Sequence, residues 1–395
     1  MSPASIKIGL NLTSLGGVRG YLGQVATASR VPSSFTGTST MMMSAAPHIL
    51  RDAVSQFKII IPNFYVTALG VETGPGASAT VTASIEYPLN SGFTQVLFGG
   101  LAQATIANND MVVSDWITNP GIPGGGTFRT RIFYQCASGI IFVGDGWINT
   151  NGARAEFSTT GITDKTMGGS IASPGGGAYM PDVAVLGMTS KKTVWVAGDS
   201  RQEGVNDTGD VSTDTGEIPR CISSLAYING GTAGDRASWA KTNYSKRLTL
   251  AGYCSNIISG YGRNDIYGAS SSLATLQADT LAFRALFAST KPFDITTVIP
   301  DTTSTDTFAT VANQTVVAVK EGIRTSYNAW VRAGGISGVR NTYDLAAAIE
   351  VNSSGVLTTD GGFWPAPGYT TDGIHESQTA NLQIKNSGIL TSAMV

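Results

Sequence analysis

The chain has 395 residues, a formal net charge of −2 and only 13% charged residues; that balance leaves no basic stripe for a phosphate backbone and no polybasic anchor, so neither nucleic acid nor a membrane is an expected partner. No run approaches the ~18 consecutive apolar residues of a membrane helix, and the amino terminus MSPASIKIGLNL lacks a signal-peptide profile. With 42% hydrophobic residues the chain carries material for two cores, and its length makes two domains the default.

Up to about residue 185 the pattern is that of short strands. Ala79 to Tyr87 alternates apolar and polar residues, the period of a half-buried strand. Runs from Phe57 to Val71, Phe93 to Phe98, Met111 to Ile117, Thr127 to Cys136 and Gly139 to Val143 are β-branched or aromatic, with Gly, Pro and Asn between them, as in NPGIPGGG. This spacing predicts an antiparallel sandwich or jelly roll over residues 1–185. Its aromatics, Phe64, Tyr65, Trp116, Phe128, Phe133, Tyr134 and Trp147, are expected in the core rather than on sugars. Ser173 to Asp182, SPGGGAYMPD, reads as a linker.

Beyond residue 185 strands alternate with helices. Thr193 to Ala197 reads as a strand, as do Ser255 to Ser259 and Ile295 to Ile299. Leu273, Leu276, Phe283 and Phe287 recur at helical spacing behind a serine-rich start, and Val316, Val319, Ile323, Tyr327 and Trp330 do the same. Such alternation builds a parallel sheet covered on both faces over residues 186–395, with ligands at the carboxyl ends of its strands. Ser200, in GDSRQEGVND, lies at such an end. Cys136, Cys221 and Cys254 are too widely spaced for a disulfide framework or a metal site and are expected as buried thiols.

A nucleophilic serine needs a base near neutral pH, and the chain has two histidines, His48 and His375. His48 falls in the sandwich segment. His375 follows Asp372 by three residues, a spacing at which a turn lets the carboxylate hold the other ring nitrogen; the plain alternative is a surface-loop histidine. Two further stretches carry candidates. Gly234, in NGGTAGDRAS, stands at a loop-to-helix junction where a backbone N–H can approach a substrate oxygen, and Asn264, in GYGRNDIYG, can donate an amide hydrogen to a developing oxyanion. Each is also compatible with an ordinary turn.

Four blocks in order, GDS at Gly198–Ser200, NxGxxGD at Asn229–Asp235, GxND at Gly262–Asp265 and DxxH at Asp372–His375, resemble the SGNH (GDSL) hydrolase family over about residues 186–395. The resemblance implies a flavodoxin-like three-layer domain and ester hydrolysis. It implies Ser200 as nucleophile, His375 as general base and acid, Asp372 as orienting carboxylate, and an oxyanion hole made by Ser200, Gly234 and Asn264. It implies no cofactor and no metal. The chain departs from the family at Arg201 and Gln202 behind the serine, and at Glu376, where His-Pro is common. Arg263 is a candidate substrate contact or a solvated arginine. Trp364 is a candidate sugar-stacking platform or a packed core residue. The acidic stretch Asn206–Glu217 lacks the spacing of a calcium loop.

The expectation is therefore a serine esterase. A sandwich ahead of such a domain resembles the layout of two-domain carbohydrate esterases, which implies an O-acetylated poly- or oligosaccharide as substrate. Short-chain lipid or aryl esters are the first alternative. The second is a phage-tail or surface glycan-binding or structural protein with a trimming or vestigial hydrolase domain. Low charge with abundant Gly, Ser and Thr points to a secreted, surface or virion-associated protein.

Overall fold

The computed structural model describes residues 20–144, 152–172, 179–209 and 214–395. The amino-terminal stretch, Trp147, the first six residues of the expected linker and residues 210–213 of the acidic stretch lie outside the described residues.

Two antiparallel sheets form the amino-terminal unit. One runs in the order Gln103–Ile106, Ala79–Glu86, Thr127–Cys136, Met41–Ile49, Arg154–Ser158, and the other in the order Tyr21–Gln24, Ala184–Thr189, Gln56–Pro62, Met111–Val113. They close on a core to which Ala79, Val81, Ala83 and Ile85 contribute from one strand, Phe128, Ile132 and Tyr134 from another, and Phe57, Ile59 and Ile61 from the opposite sheet. The period of two selects these residues, since alternate side chains share a face. Phe64, Phe128, Phe133 and Tyr134 are buried and Tyr65 is partly buried, but Trp116, expected in the core, is exposed, its ring under the Lys58 ammonium. The long apolar run from Phe57 breaks at Asn63, whose side-chain amide donates to the carbonyls of Ala77, Ile106 and Ala107.

The carboxy-terminal unit is built on a parallel sheet ordered Ser29–Arg30, Ala226–Asn229, Thr193–Ala197, Asn256–Ser259, Phe293–Thr296, Thr342–Tyr343. Leaving aside the short edge strand Ser29–Arg30, this is the flavodoxin-like order 2-1-3-4-5. Its strands are buried on both faces, as the apolar run Thr193–Ala197 requires. Trp195 and Ala197 face helices Ala237–Ala240, Ser245–Ala251, Leu273–Arg284 and Ala318–Arg332, while Val194 and Val196 face Glu217–Cys221, Leu345–Ile349 and Gln378–Ser387. The helix expected from Val316 begins at Ala318, so Val319 in its first turn is exposed and Tyr327 is the buried anchor. All three cysteines are buried free thiols.

Two expectations need correction. The boundary at residue 185 falls inside the strand Ala184–Thr189, which pairs with Tyr21–Gln24 and Gln56–Pro62, so that strand belongs to the amino-terminal sheet. The described end of the expected linker is no linker: Tyr179, Met180 and Asp182 are buried, because the apolar flank of a Gly/Pro-rich stretch still seeks a core. The two units also exchange parts. Ser29–Arg30 crosses to the edge of the parallel sheet, and the sandwich strands turn their alternate face, Ile60, Ala184 and Leu186, into the cluster that holds Trp195, Ile228 and Ile257.

The fragment 190–395 produced alone lacks Ile60, Phe64, Val66 and the edge strand, and exposes the apolar face they cover. It is expected to show no cooperative thermal transition by circular dichroism; a sharp melt would show that the shared cluster is dispensable. In the full chain Ile60→Ala should cost about 2–5 kcal/mol in denaturant titration, the range for truncating a fully buried isoleucine.

Candidate active site

Ser200 stands immediately beyond the strand Thr193–Ala197, where the strand order reverses, and opens the four-residue helix Ser200–Glu203. Asp199 caps that helix: its carboxylate accepts from the Arg201 N–H at 3.1 Å, and its own N–H donates to Gln202 Oε1 at 2.8 Å. Gly198 must be glycine, because a Cβ there would overlap the Gln202 side chain. Ser200 is 6% exposed. The carboxyl end of the helix is held from the amino-terminal unit, where Arg30 Nη1 donates to the Glu203 carbonyl at 2.7 Å and Ser33 Oγ to the Glu203 carboxylate at 2.5 Å.

The loop before helix Gln378–Ser387 brings His375 to the serine. His375 Nε2 lies 2.8 Å from Ser200 Oγ, and Nδ1 lies 2.7 Å from Asp372 Oδ2. Asp372 also accepts the backbone N–H groups of Ile374 (2.8 Å) and His375 (2.9 Å) and the Asn206 amide (2.8 Å). Burial raises the Asp372 carboxyl, but the imidazole and the two backbone donors outweigh it and hold the group well below its ordinary value. An ionised carboxylate only accepts, so Nδ1 carries the ring hydrogen and Nε2 is free to accept from the serine hydroxyl. The loop is fixed from below: Trp364 Nε1 donates to the Gly373 carbonyl at 2.9 Å, as does the Thr302 N–H at 3.0 Å.

The second and third blocks meet beside the serine helix. Thr232 N–H donates to the Gly198 carbonyl at 3.2 Å, Ala233 N–H to Glu203 at 2.6 Å, and Asn229 to the Gln202 carbonyl at 2.8 Å. Gly234 has φ +85°, and a Cβ there would stand 2.7 Å from the Ala68 carbonyl oxygen of the amino-terminal unit. Asn264 is buried and donates to the Asp235 carbonyl at 3.1 Å. Asp265 beside it accepts the N–H groups of Ala237 and Ser238, both at 3.0 Å, and burial pushes its carboxyl up to about 6. The GxND and NxGxxGD blocks are thereby bonded to each other.

The candidate substrate contacts fare differently. Trp364 is 0% exposed, packed with Tyr227, Ile299 and Ile384, and offers no face to a sugar ring. Its place under Gly373 explains why an aromatic precedes the Asp-His loop. Arg263 is paired with Asp301 and donates through Nη1 to Asn264 Oδ1 at 2.7 Å. His48 is buried in the sandwich between Asp182 (2.7 Å) and the Thr27 carbonyl (2.7 Å), remote in role from the serine. In the acidic stretch Asp207 pairs with Arg220 and Asp214 with Arg30.

Sequence reading passed over the groups that frame the site. Arg201 donates to the carbonyls of Ile374 (3.0 Å), Ile299 (3.1 Å) and Pro300 (2.8 Å), clamping the serine helix to the histidine loop. Behind it lie the buried carboxyls of Asp199, Glu217 and Glu376, the last 3.7 Å from Arg201 Nε. Gln202 Nε2 donates to Glu217. Burial, then the neighbouring Glu376, push Glu217 well above its ordinary range against the pull of Arg201, and burial raises Glu376 and Asp199 likewise. The departures from the family pattern at Arg201, Gln202 and Glu376 were the available signal.

No protein-family model matches the chain, and no curated protein matches it. Solved structures do. They include a carbohydrate acetylesterase from Sinorhizobium meliloti (15% identity, covering 50% of this chain and 97% of that one, TM-score 0.34). A member of the lipolytic protein G-D-S-L family from Veillonella parvula DSM 2008 matches at 12% identity, covering 50% and 97%, TM-score 0.34. A lipase/acylhydrolase from Enterococcus faecalis matches at 15%, covering 50% and 94%, TM-score 0.33. These three cover about half of this chain, whereas a GDSL-like lipase from Bacteroides ovatus ATCC 8483 (10% identity, TM-score 0.32) covers 88% of this chain and 81% of that one. At these scores the likeness transfers no activity, and the chemistry must be read from the site itself.

Glu217 titrates upward on folding, so the folded chain binds this proton more tightly than the unfolded one, and stability falls as pH rises from the ordinary glutamate value of 4.5 through the folded value. Glu217→Gln keeps an acceptor for Gln202 and removes the titration. Denaturant midpoints measured from pH 5 to 9 should decline less steeply in this variant than in the wild type; parallel curves would show that Glu217 holds no extra proton.

Proposed function

We propose that the chain is a serine-dependent carboxylic ester hydrolase. The observation that carries this reading is the continuous hydrogen-bonded line from Ser200 Oγ through His375 to Asp372, 2.8 and 2.7 Å, at the carboxyl end of the central strand. His375 Nε2 takes the hydroxyl proton as Ser200 Oγ attacks the ester carbonyl, and Asp372 holds the tautomer and stabilises the imidazolium that forms. The oxyanion is received by the Ser200 N–H, which as a first-turn donor has no intrahelical partner, by the Gly234 N–H, and by the Asn264 amide hydrogen not given to Asp235. His375 then protonates the leaving alkoxide, and water enters by the reverse path to release the acid and restore the serine.

An O-acetylated carbohydrate is the substrate class we favour. Its support is the polar surround of the line, with Asn206 and Thr371 beside Asp372. Those groups suit a hydroxyl-rich alcohol and a short acyl group better than a long aliphatic chain.

The test is hydrolysis of p-nitrophenyl acetate and octanoate and acetate release from acetylated xylan. Ser200→Ala and His375→Ala should each lower kcat on the acetate by a factor on the order of 10³ to 10⁶, and Asp372→Asn by no more than these. Acetyl should be preferred to octanoyl. Turnover unaffected by Ser200→Ala would reject the serine mechanism, absence of turnover in the wild type would leave a binding or structural protein, and preference for octanoyl would reject the substrate class.

A further inference from the structure

Arg263 lies between two acceptors. Its Nε donates to Asp301 Oδ2 at 2.8 Å, Nη2 reaches the same oxygen, and Nη1 donates to the side-chain oxygen of Asn264 at 2.7 Å. The Arg263 side chain is 16% exposed, and its guanidinium lies over the Tyr267 ring, 5.6 Å from the centroid. Asn264 is buried, with one amide hydrogen given to the Asp235 carbonyl at 3.1 Å. The two contacts together decide which way the amide faces: a cation bonded to Oδ1 and a carbonyl bonded to Nδ2 are each satisfied in one orientation and opposed in the flipped one.

We propose that Arg263, restrained by Asp301, is a positioning residue that orients and polarises the Asn264 amide as an oxyanion donor. A charged donor on the amide oxygen draws electron density from nitrogen toward oxygen, which leaves the remaining N–H more positive and a stronger donor. Interactions of this kind matter most as negative charge develops on the substrate oxygen, so they enter kcat more than KM. In this role Arg263 acts through the Asn264 side-chain oxygen, to which it donates. The inference rests on the esterase reading and goes beyond it, since the arginine departs from a mere substrate contact and the Asp301 restraint gives it a fixed geometry.

The experiment is a double-mutant cycle on p-nitrophenyl acetate in the full chain, with thermal melts to verify folding and Ser200→Ala as reference. Arg263→Met keeps the apolar stem on Tyr267 and removes the donors; it should lower kcat about tenfold with KM changed less than about twofold, a fraction of the 10²–10³ that follows loss of a whole oxyanion donor. Adding Arg263→Met to Asn264→Ala should then change kcat less than about twofold, because the amide it serves is gone. Asp301→Asn, which leaves the arginine in place and loosens it, should give a smaller loss of the same kind and keeps the test open if the Met variant does not fold. Independent, multiplicative losses in the cycle, or a loss confined to KM, would overturn the inference while the esterase reading stands. Hydrolysis indifferent to Ser200→Ala would overturn both.

Discussion

The architecture depends on one strand pair being buried on both sides. In Gln56–Pro62 the side chains of Phe57, Ile59 and Ile61 enter the sandwich core, and Ile60 enters the cluster shared with the parallel sheet; in Ala184–Thr189, Val185 goes one way and Ala184 and Leu186 the other. A strand alternates by geometry, so a sheet apolar on both faces must be covered on both. The sandwich sheet joins the helices that cover this apolar face of the parallel-sheet unit, and each unit removes apolar surface of the other from water at ~25 cal/mol per Å².

The site inherits that dependence. The serine helix has four residues and little stability of its own. It is braced by Arg30 and Ser33 from the crossing segment and by Ala233 from the second block. Glu72, on a hairpin of the amino-terminal unit, accepts the Lys246 and Arg247 N–H groups at 2.8 and 3.0 Å and so caps helix Ser245–Ala251, whose own N-cap residue Tyr244 makes no side-chain cap bond. Arg247 ties the same hairpin to Asp235, next to Gly234, through the Gly70 carbonyl. The placement of the Gly234 loop thus passes through both halves of the chain.

Charges are few, and several arginines sit inside: Arg30, Arg201, Arg220, Arg247 and Arg324 are all buried. Each is met by a carboxylate or by carbonyls, as burial of a charge demands. Buried pairs of this kind add little net stability relative to apolar packing, but removing one partner leaves an unpaired charge, so they penalise any alternative arrangement of the loops they join. Arg201 shows the consequence most directly, since it binds the carbonyls of three residues in the two loops that face the serine helix.

Local pattern made much of this legible. Ala79–Glu86 and Thr193–Ala197 are strands, because the alternation that marks the first and the continuous apolar run that marks the second are properties of a few neighbouring side chains. The four blocks, and with them Ser200, His375 and Asp372, stood out through their order, which resembles that of the SGNH hydrolases, although each block alone is compatible with an ordinary turn. Tertiary structure alone decided the rest. Nothing near Ala184 marks it as a sandwich strand rather than the first strand of the next unit, since both are apolar runs and only the partner strand distinguishes them. Trp364 under Gly373, Arg263 between Asp301 and Asn264, and Glu217 against Glu376 are contacts between residues 9 to 159 positions apart or between a residue and its neighbour's fixed rotamer, and no local period encodes them. Burial and pairing of those side chains follow from which loops the parallel sheet brings to one end.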